Sequence, residues 1–165
     1  MFQSPKVSVC MITYGHEKFI EEAINGVLMQ DCNFEIKLII ANDCSPDNTN
    51  EIVERYIETH PRGHLIKYTM HSINKGMMPN FIWTLHQCKG KYIAFLDGDD
   101  YWTDPLKLQK QVDFLEGNPD YNICFHNVQL FKQEDNKIDK DNITREVAET
   151  TNIEDLARGN FIHTP

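Results

Sequence analysis

Three carboxylates stand within four positions at Asp97, Asp99 and Asp100, and a fourth follows at Asp104. They close a short apolar run, Tyr92 to Leu96, that reads as a buried strand. Carboxylates just past a strand's C-terminal end sit where open α/β sheets hold their ligands. Charges this close repel one another, and a hard divalent cation, Mg²⁺ or Mn²⁺, relieves the repulsion through oxygen ligands. A plainer reading makes the cluster an acidic turn that ends the strand and starts the next helix at Asp104-Pro105. Capping needs one aspartate, and the chain supplies four between 97 and 104. The favoured reading is a metal site.

The elements that must position this cluster follow from hydrophobic periodicity. Val7 to Ile12 and Ile36 to Ala41 are apolar on nearly every residue, as in strands buried on both faces of a parallel sheet. Phe19, Ile20, Ala23, Ile24, Val27 and Leu28 recur at helical spacing, which predicts a helix to about Gln30. A second helix is expected from about Thr49, a strand over Leu65 to Met70, and a helix from Pro79 to Cys88 with Phe81, Ile82 and Leu85 inward. The central strand, 91–96, follows. A helix over Pro105 to Glu116 and one or two strands within Tyr121 to Phe131 come after the acidic cluster. Residues 132–150 read as an exposed hairpin or mobile loop, and Thr151 or Asn152 can cap a short last helix. The alternation βαβαβαβα predicts a single three-layer α/β/α domain over residues 1–165 with a mostly parallel sheet. Right-handed crossovers bring the loops Thr13–Glu17, Asn42–Asn48, Asn74–Gly76 and Asp97–Asp100 to one edge.

Composition narrows the function. The chain has 165 residues and a net charge of −9, which argues against a nucleic-acid partner. No segment reaches the roughly 18–20 apolar residues of a membrane span. Peripheral association with a membrane stays open. The five cysteines are odd in number and show no CxxC spacing, so reduced thiols in a cytoplasmic protein are expected. No dinucleotide fingerprint, P-loop, HExxH zinc motif or Gly-x-Ser-x-Gly elbow occurs. The seven histidines show no metal-ligand spacing and read as surface or helix-end residues.

Val7-Ser8-Val9 with Thr13-Tyr14, then Ile39 through Thr49, then Gly90 through Asp100 form an ordered set. Over roughly residues 5 to 130 this set closely resembles the family 2 glycosyltransferases of GT-A fold. The resemblance implies a nucleotide-diphospho-sugar donor, UDP-linked by preference, a divalent Mn²⁺ or Mg²⁺, and inversion at the anomeric carbon. The acceptor would be a saccharide or lipid-linked hydroxyl in cell-surface polysaccharide synthesis, at the cytoplasmic face of the membrane. Asp43 matches the position that accepts a hydrogen bond from the base, with an Asx-turn residue as the structural alternative. Thr13 and Tyr14 match positions lining the nucleotide pocket, and Tyr14 suits stacking or plain packing. Glu17 matches a position that reaches the nucleotide, although an acid in a helix's first turn has its own rationale. Lys75 matches a loop near the diphosphate, where it offsets phosphate charge, with a plain solvated lysine as the alternative. Asp97, Asp99 and Asp100 match the DxD-type motif, with Asp99 as the direct metal ligand, Asp97 toward the ribose or a metal-bound water, and Asp100 grouped with the metal but suited to either role. Asn42 departs from the pattern, which more often has Asp. Trp102 belongs either beneath the acceptor pocket or in the core.

In that family the general base lies well past the DxD motif, beyond Pro165 in this numbering. The expectation is therefore a chain truncated at its C-terminus that keeps donor and metal binding with little transfer. Asp113, Asp120 and Asp155 are available acids without a matching motif. Two rivals are a non-catalytic nucleotide-sugar-binding module and a DxD phosphatase of the haloacid-dehalogenase type. The second expects Thr or Val four positions after its first Asp, and Tyr101 stands there.

Overall fold

A computed structural model describes residues 4–132, 137–139, 148, 150–159 and 162. Its elements run β1 Val7–Thr13, α1 Ile20–Leu28, β2 Ile36–Asn42, α2 Thr49–Thr59, β3 Ile66–Met70, α3 Met77–Gln87, β4 Tyr92–Asp97 and α4 Lys107–Gly117. Two short strands, β5 Leu130–Lys132 and β6 Lys137–Asp139, pair antiparallel, and α5 Ile153–Ala157 follows. Asn152 caps α5 in a capping box with Asp155.

Among the described residues the main sheet has four parallel strands in the order β3-β2-β1-β4. This is the α/β architecture the alternation predicts. Alternate residues divide its two faces. Val7, Val9 and Met11 of β1, with Leu38, Ile40 and Leu96, enter one core cluster with Ile20, Ile24 and Val27 of α1, Val53 of α2 and Leu108 of α4. The other face is covered by α3, which lies on β1 and β2. The register sets Thr13 beside Asn42, Ile12 beside Asp97, and Asn42 beside Met70. The four predicted loops therefore leave the sheet at one edge.

Three expectations need correction. Residues 121–129 form no strand: Tyr121 and Ile123 are exposed, and only Leu130 and Phe131 of the predicted stretch enter β5. Their apolar character has no neighbouring ladder to join. Helix α3 starts at Met77, because Gly76 takes φ 86° just before it and Pro79 fits within a first turn. It also turns Asn80 and Thr84 inward and leaves Ile82 exposed. Polar groups can face the sheet there because each is satisfied. Thr84 Oγ1 donates to Asn80 O, and Asn80 Nδ2 donates to Ala41 O. Helix α4 likewise begins at Lys107 rather than Pro105. Its early amides are met by Asp104 Oδ1, which accepts from Leu106 N, and by Gln30 Oε1, which accepts from Leu108 N at 3.0 Å.

Gln30 is fully buried and also donates to Gly26 O and Asp104 O. One side chain thus joins the end of α1 to the segment after the acidic cluster. Trp102 belongs to the core: its backbone lies so close to Gly26 that a Cβ there would meet Trp102 N at 2.8 Å. Lys107 Nζ sits 4.0 Å from the Trp102 ring centroid, and burial pushes its ammonium down to about 8.

Candidate functional site

The β1–α1 loop is fastened amide by amide to the β2–α2 loop. Gly15 N donates to Ser45 Oγ, His16 N to Thr49 Oγ1, and Glu17 N to Asp47 Oδ2, each at 3.0 Å. Thr49 Oγ1 in turn donates a hydrogen bond to Asp47 Oδ1 at 2.6 Å. Glu17 returns the contact, its Oε2 accepting from Asn48 N and Nδ2. Burial works against ionised Asp47, but the hydrogen bonds from Thr49 and Glu17 outweigh it and hold the carboxyl below its usual range.

Asn42 and Asp43 build the floor. Asn42 is fully buried; its Oδ1 accepts from Ser45 N and Oγ, and its Nδ2 donates to Tyr68 OH. Burial pushes the Tyr68 phenol up to about 12. Asn42 therefore holds the end of β2 together. Asp43 is 3% exposed, and its two oxygens accept from Lys75 N and Gly76 N, both at 2.8 Å. The carboxylate clamps the β3–α3 loop. Cys44 beside it takes φ 63°, a left-handed conformation unusual without glycine, which folds the chain back to Ser45. His71, buried and 3.0 Å from Asn80 Oδ1 through Nε2, pins α3 behind this floor.

The opposite wall is the acidic turn. Gly98 N donates to Ile12 O, and Asp100 N to Asp97 O. Asp99 projects outward with a half-exposed side chain, and His16 Nε2 lies 3.9 Å from its Oδ2. Gly98 admits no side chain: a Cβ would meet Thr13 Oγ1 at 2.7 Å and His16 Nδ1 at 2.9 Å.

Between these walls is a cavity of about 480 Å³. Of the predicted site residues, Thr13, Tyr14, Asp43, Asp97 and Asp99 line it; Glu17, Lys75 and Asp100 do not. The Glu17 carboxylate faces Asn48. Lys75 offers its backbone N–H to Asp43, and its Nζ stands 5.8 Å from the Trp83 ring centroid. None of Asp113, Asp120 and Asp155 lines the cavity. Six lining residues lie outside the predicted set: Ile12, His16, Asn74, Gly76, Met77 and Asn80. His16 lies in the β1–α1 loop, and its polar neighbour Asp99 comes from the turn after β4. Among the described residues no three His, Cys, Asp or Glu side chains form a ready-made metal cage, and no helix is long and apolar enough to cross a membrane.

Residues 8–163 match the family model described as glycosyl transferase family 2. The chain belongs to that family. An uncharacterized protein of Mycobacterium tuberculosis is 36% identical over 158 residues, covering 96% of this chain and 45% of that protein. The uncharacterized glycosyltransferase EpsJ of Bacillus subtilis is 37% identical over 114 residues, 69% of this chain and 31% of EpsJ. Among solved structures, S. aureus TarS 1-349 in complex with UDP matches with a TM-score of 0.62 at 30% identity, over 69% of this chain and 33% of that one. The family 2 chain described here thus spans less than half the length of these relatives, and its fold is that of GT-A glycosyltransferases.

Proposed function

We propose that this chain binds the nucleotide-diphospho-sugar donor of an inverting glycosyltransferase, with UDP as the preferred nucleotide. The observation that carries the reading is the cavity at the strand ends, with Asp43 on its floor and Asp97 and Asp99 on its opposite wall. A carboxylate oxygen has more than one lone pair, so Asp43 can hold its two amides and still accept an N–H from a base. Half-exposed Tyr14 gives the base a face to stack on. Asp97 faces the ribose in this reading.

The donor set suits a divalent cation. Asp99 offers oxygen on the cavity wall, and a hard cation held by one or two carboxylates normally completes its shell with substrate phosphates and water. Asp99 would hold Mn²⁺ or Mg²⁺, with Asp100 beside it. When bound, the cation supplies Lewis-acid stabilisation of charge on the departing nucleotide diphosphate. The fastened loops keep base, ribose and diphosphate sites at fixed separation, so little ordering is left to the donor. A saccharide or lipid-linked hydroxyl then attacks the anomeric carbon from the opposite face as the bond to the diphosphate breaks, which inverts the centre, and the hydroxyl proton passes to a carboxylate general base.

Calorimetric titration of UDP into the 165-residue chain, with Mn²⁺ and then with EDTA, tests this. Binding should need the metal and should weaken at least about tenfold in Asp99→Asn. Equal binding in EDTA, or no binding of UDP or GDP to folded protein, sinks the reading.

A further inference from the structure

Among the described residues His16 is the cavity-lining histidine, its ring beside Asp99 of the acidic wall, and the proposed donor site leaves it without a task. Its place is fixed from three sides. The backbone N is held by Thr49 Oγ1, the ring meets Phe19 edge-on at 6.4 Å, and Nδ1 is buried against Gly98. These constraints aim Nε2 at Asp99, 3.9 Å away. Bonds of about 2.1 Å around one divalent ion put two donor atoms about 3–4 Å apart, so both atoms can reach the same ion.

A second observation sits behind the ring. Thr13 is 2% exposed and lines the cavity, and its Oγ1 has no hydrogen-bond partner among the described residues. His16 Nδ1 has none either, and both atoms lie against Gly98. A buried hydroxyl and a buried ring nitrogen left without partners are costly. A metal-bound imidazole normally donates its other N–H to an oxygen. Thr13 Oγ1 is the oxygen on that side.

Building on the donor-site reading, we propose that His16 is a nitrogen ligand of the divalent cation, shared with Asp99 and backed by Thr13. An imidazole ligand shifts preference away from Mg²⁺ and toward first-row transition ions such as Mn²⁺. His16 is then the residue that sets metal choice in this site.

The test is pulsed electron paramagnetic resonance of Mn²⁺ on the full chain with UDP, and with GDP in parallel. Wild type should show nitrogen modulation that changes isotope pattern when histidine is ¹⁵N-labelled. The modulation should vanish in His16→Gln, and the Mn²⁺-over-Mg²⁺ preference for nucleotide binding should fall about tenfold. Circular dichroism establishes that the variant is folded; if it is not, labelled wild type still decides. Metal-dependent nucleotide binding with phosphorus modulation alone overturns the His16 assignment and leaves the donor site standing. Nitrogen modulation that survives in folded His16→Gln does the same. Absence of any metal-dependent nucleotide binding overturns both.

Discussion

Two aspartates face the same cavity and obey different physics. Asp43 is almost fully buried and spends both oxygens on backbone amides of the β3–α3 loop. Asp99 has a side chain 52% exposed, with an imidazole nitrogen 3.9 Å away. The first holds the protein together whether or not a ligand arrives. The second contributes little to folding and stands where a cation can be exchanged. A site that reads by sequence as eight polar residues is thus divided. One side is built into the fold, and the other is left open for chemistry.

Removing each carboxylate should expose that division most strongly. Asp43→Ala strands two amides that are otherwise satisfied, and a charged acceptor is the costliest kind to lose. The expected loss is about 3 kcal/mol by urea denaturation, with UDP binding lost as well. Asp99→Ala should change stability by less than about 0.5 kcal/mol while removing metal-dependent binding. Equal destabilisation by the two would erase the contrast. Next in size is Gly98→Ala, which acts where the open wall meets the β1–α1 loop. Its Cβ must displace Thr13 or His16, at roughly 2 kcal/mol, and Mn²⁺ binding should weaken with it. A fully stable Gly98→Ala chain that binds normally would show that this wall has slack the structure does not display.

Thr49→Val probes the fastened side. The substitution leaves His16 N without its acceptor and removes the hydroxyl that donates to Asp47 Oδ1. About 1–1.5 kcal/mol should be lost, and nucleotide affinity should drop because the β1–α1 loop carries Thr13, Tyr14 and His16.

Much of the fold was legible because apolar runs and helical spacings are local signals. The parallel sheet followed from their alternation, and the shared edge from crossover handedness. The loops read as one site for the same reason. Three things were not legible, each decided by partners distant in sequence. Asn80 and Thr84 look like exposed helix positions until Ala41 and His71 are beside them. The histidines showed no spacing for a metal, since the neighbour of His16 is Asp99, distant in sequence in the turn after β4. Glu17 reads equally well as a nucleotide contact and a helix-start acid; its contact with Asn48 across the loops belongs to neither. Asn42 departs from the family pattern, and its amide is engaged by Ser45 in the turn and by Tyr68 of β3.

The smallest expected effect concerns acid. Asp47 is depressed below its ordinary 3.8 in the folded chain. Such a group contributes stability that is fully present above the unfolded value and is lost as pH falls through the lower folded value. The fastening of the two loops should therefore loosen below pH 3.8, while remaining intact at neutral pH. Asp47 is near solvent, so screening keeps the contribution under about 1 kcal/mol. Asp47→Asn would set an amide nitrogen against the Glu17 N–H and remove the titration. Wild type and variant, compared by denaturation at pH 7 and at pH 3, should differ in stability at the first and converge toward the second. A gap that stays constant with pH would mean that hydrogen-bond geometry at Asp47, not its charge, fastens the built side of the cavity.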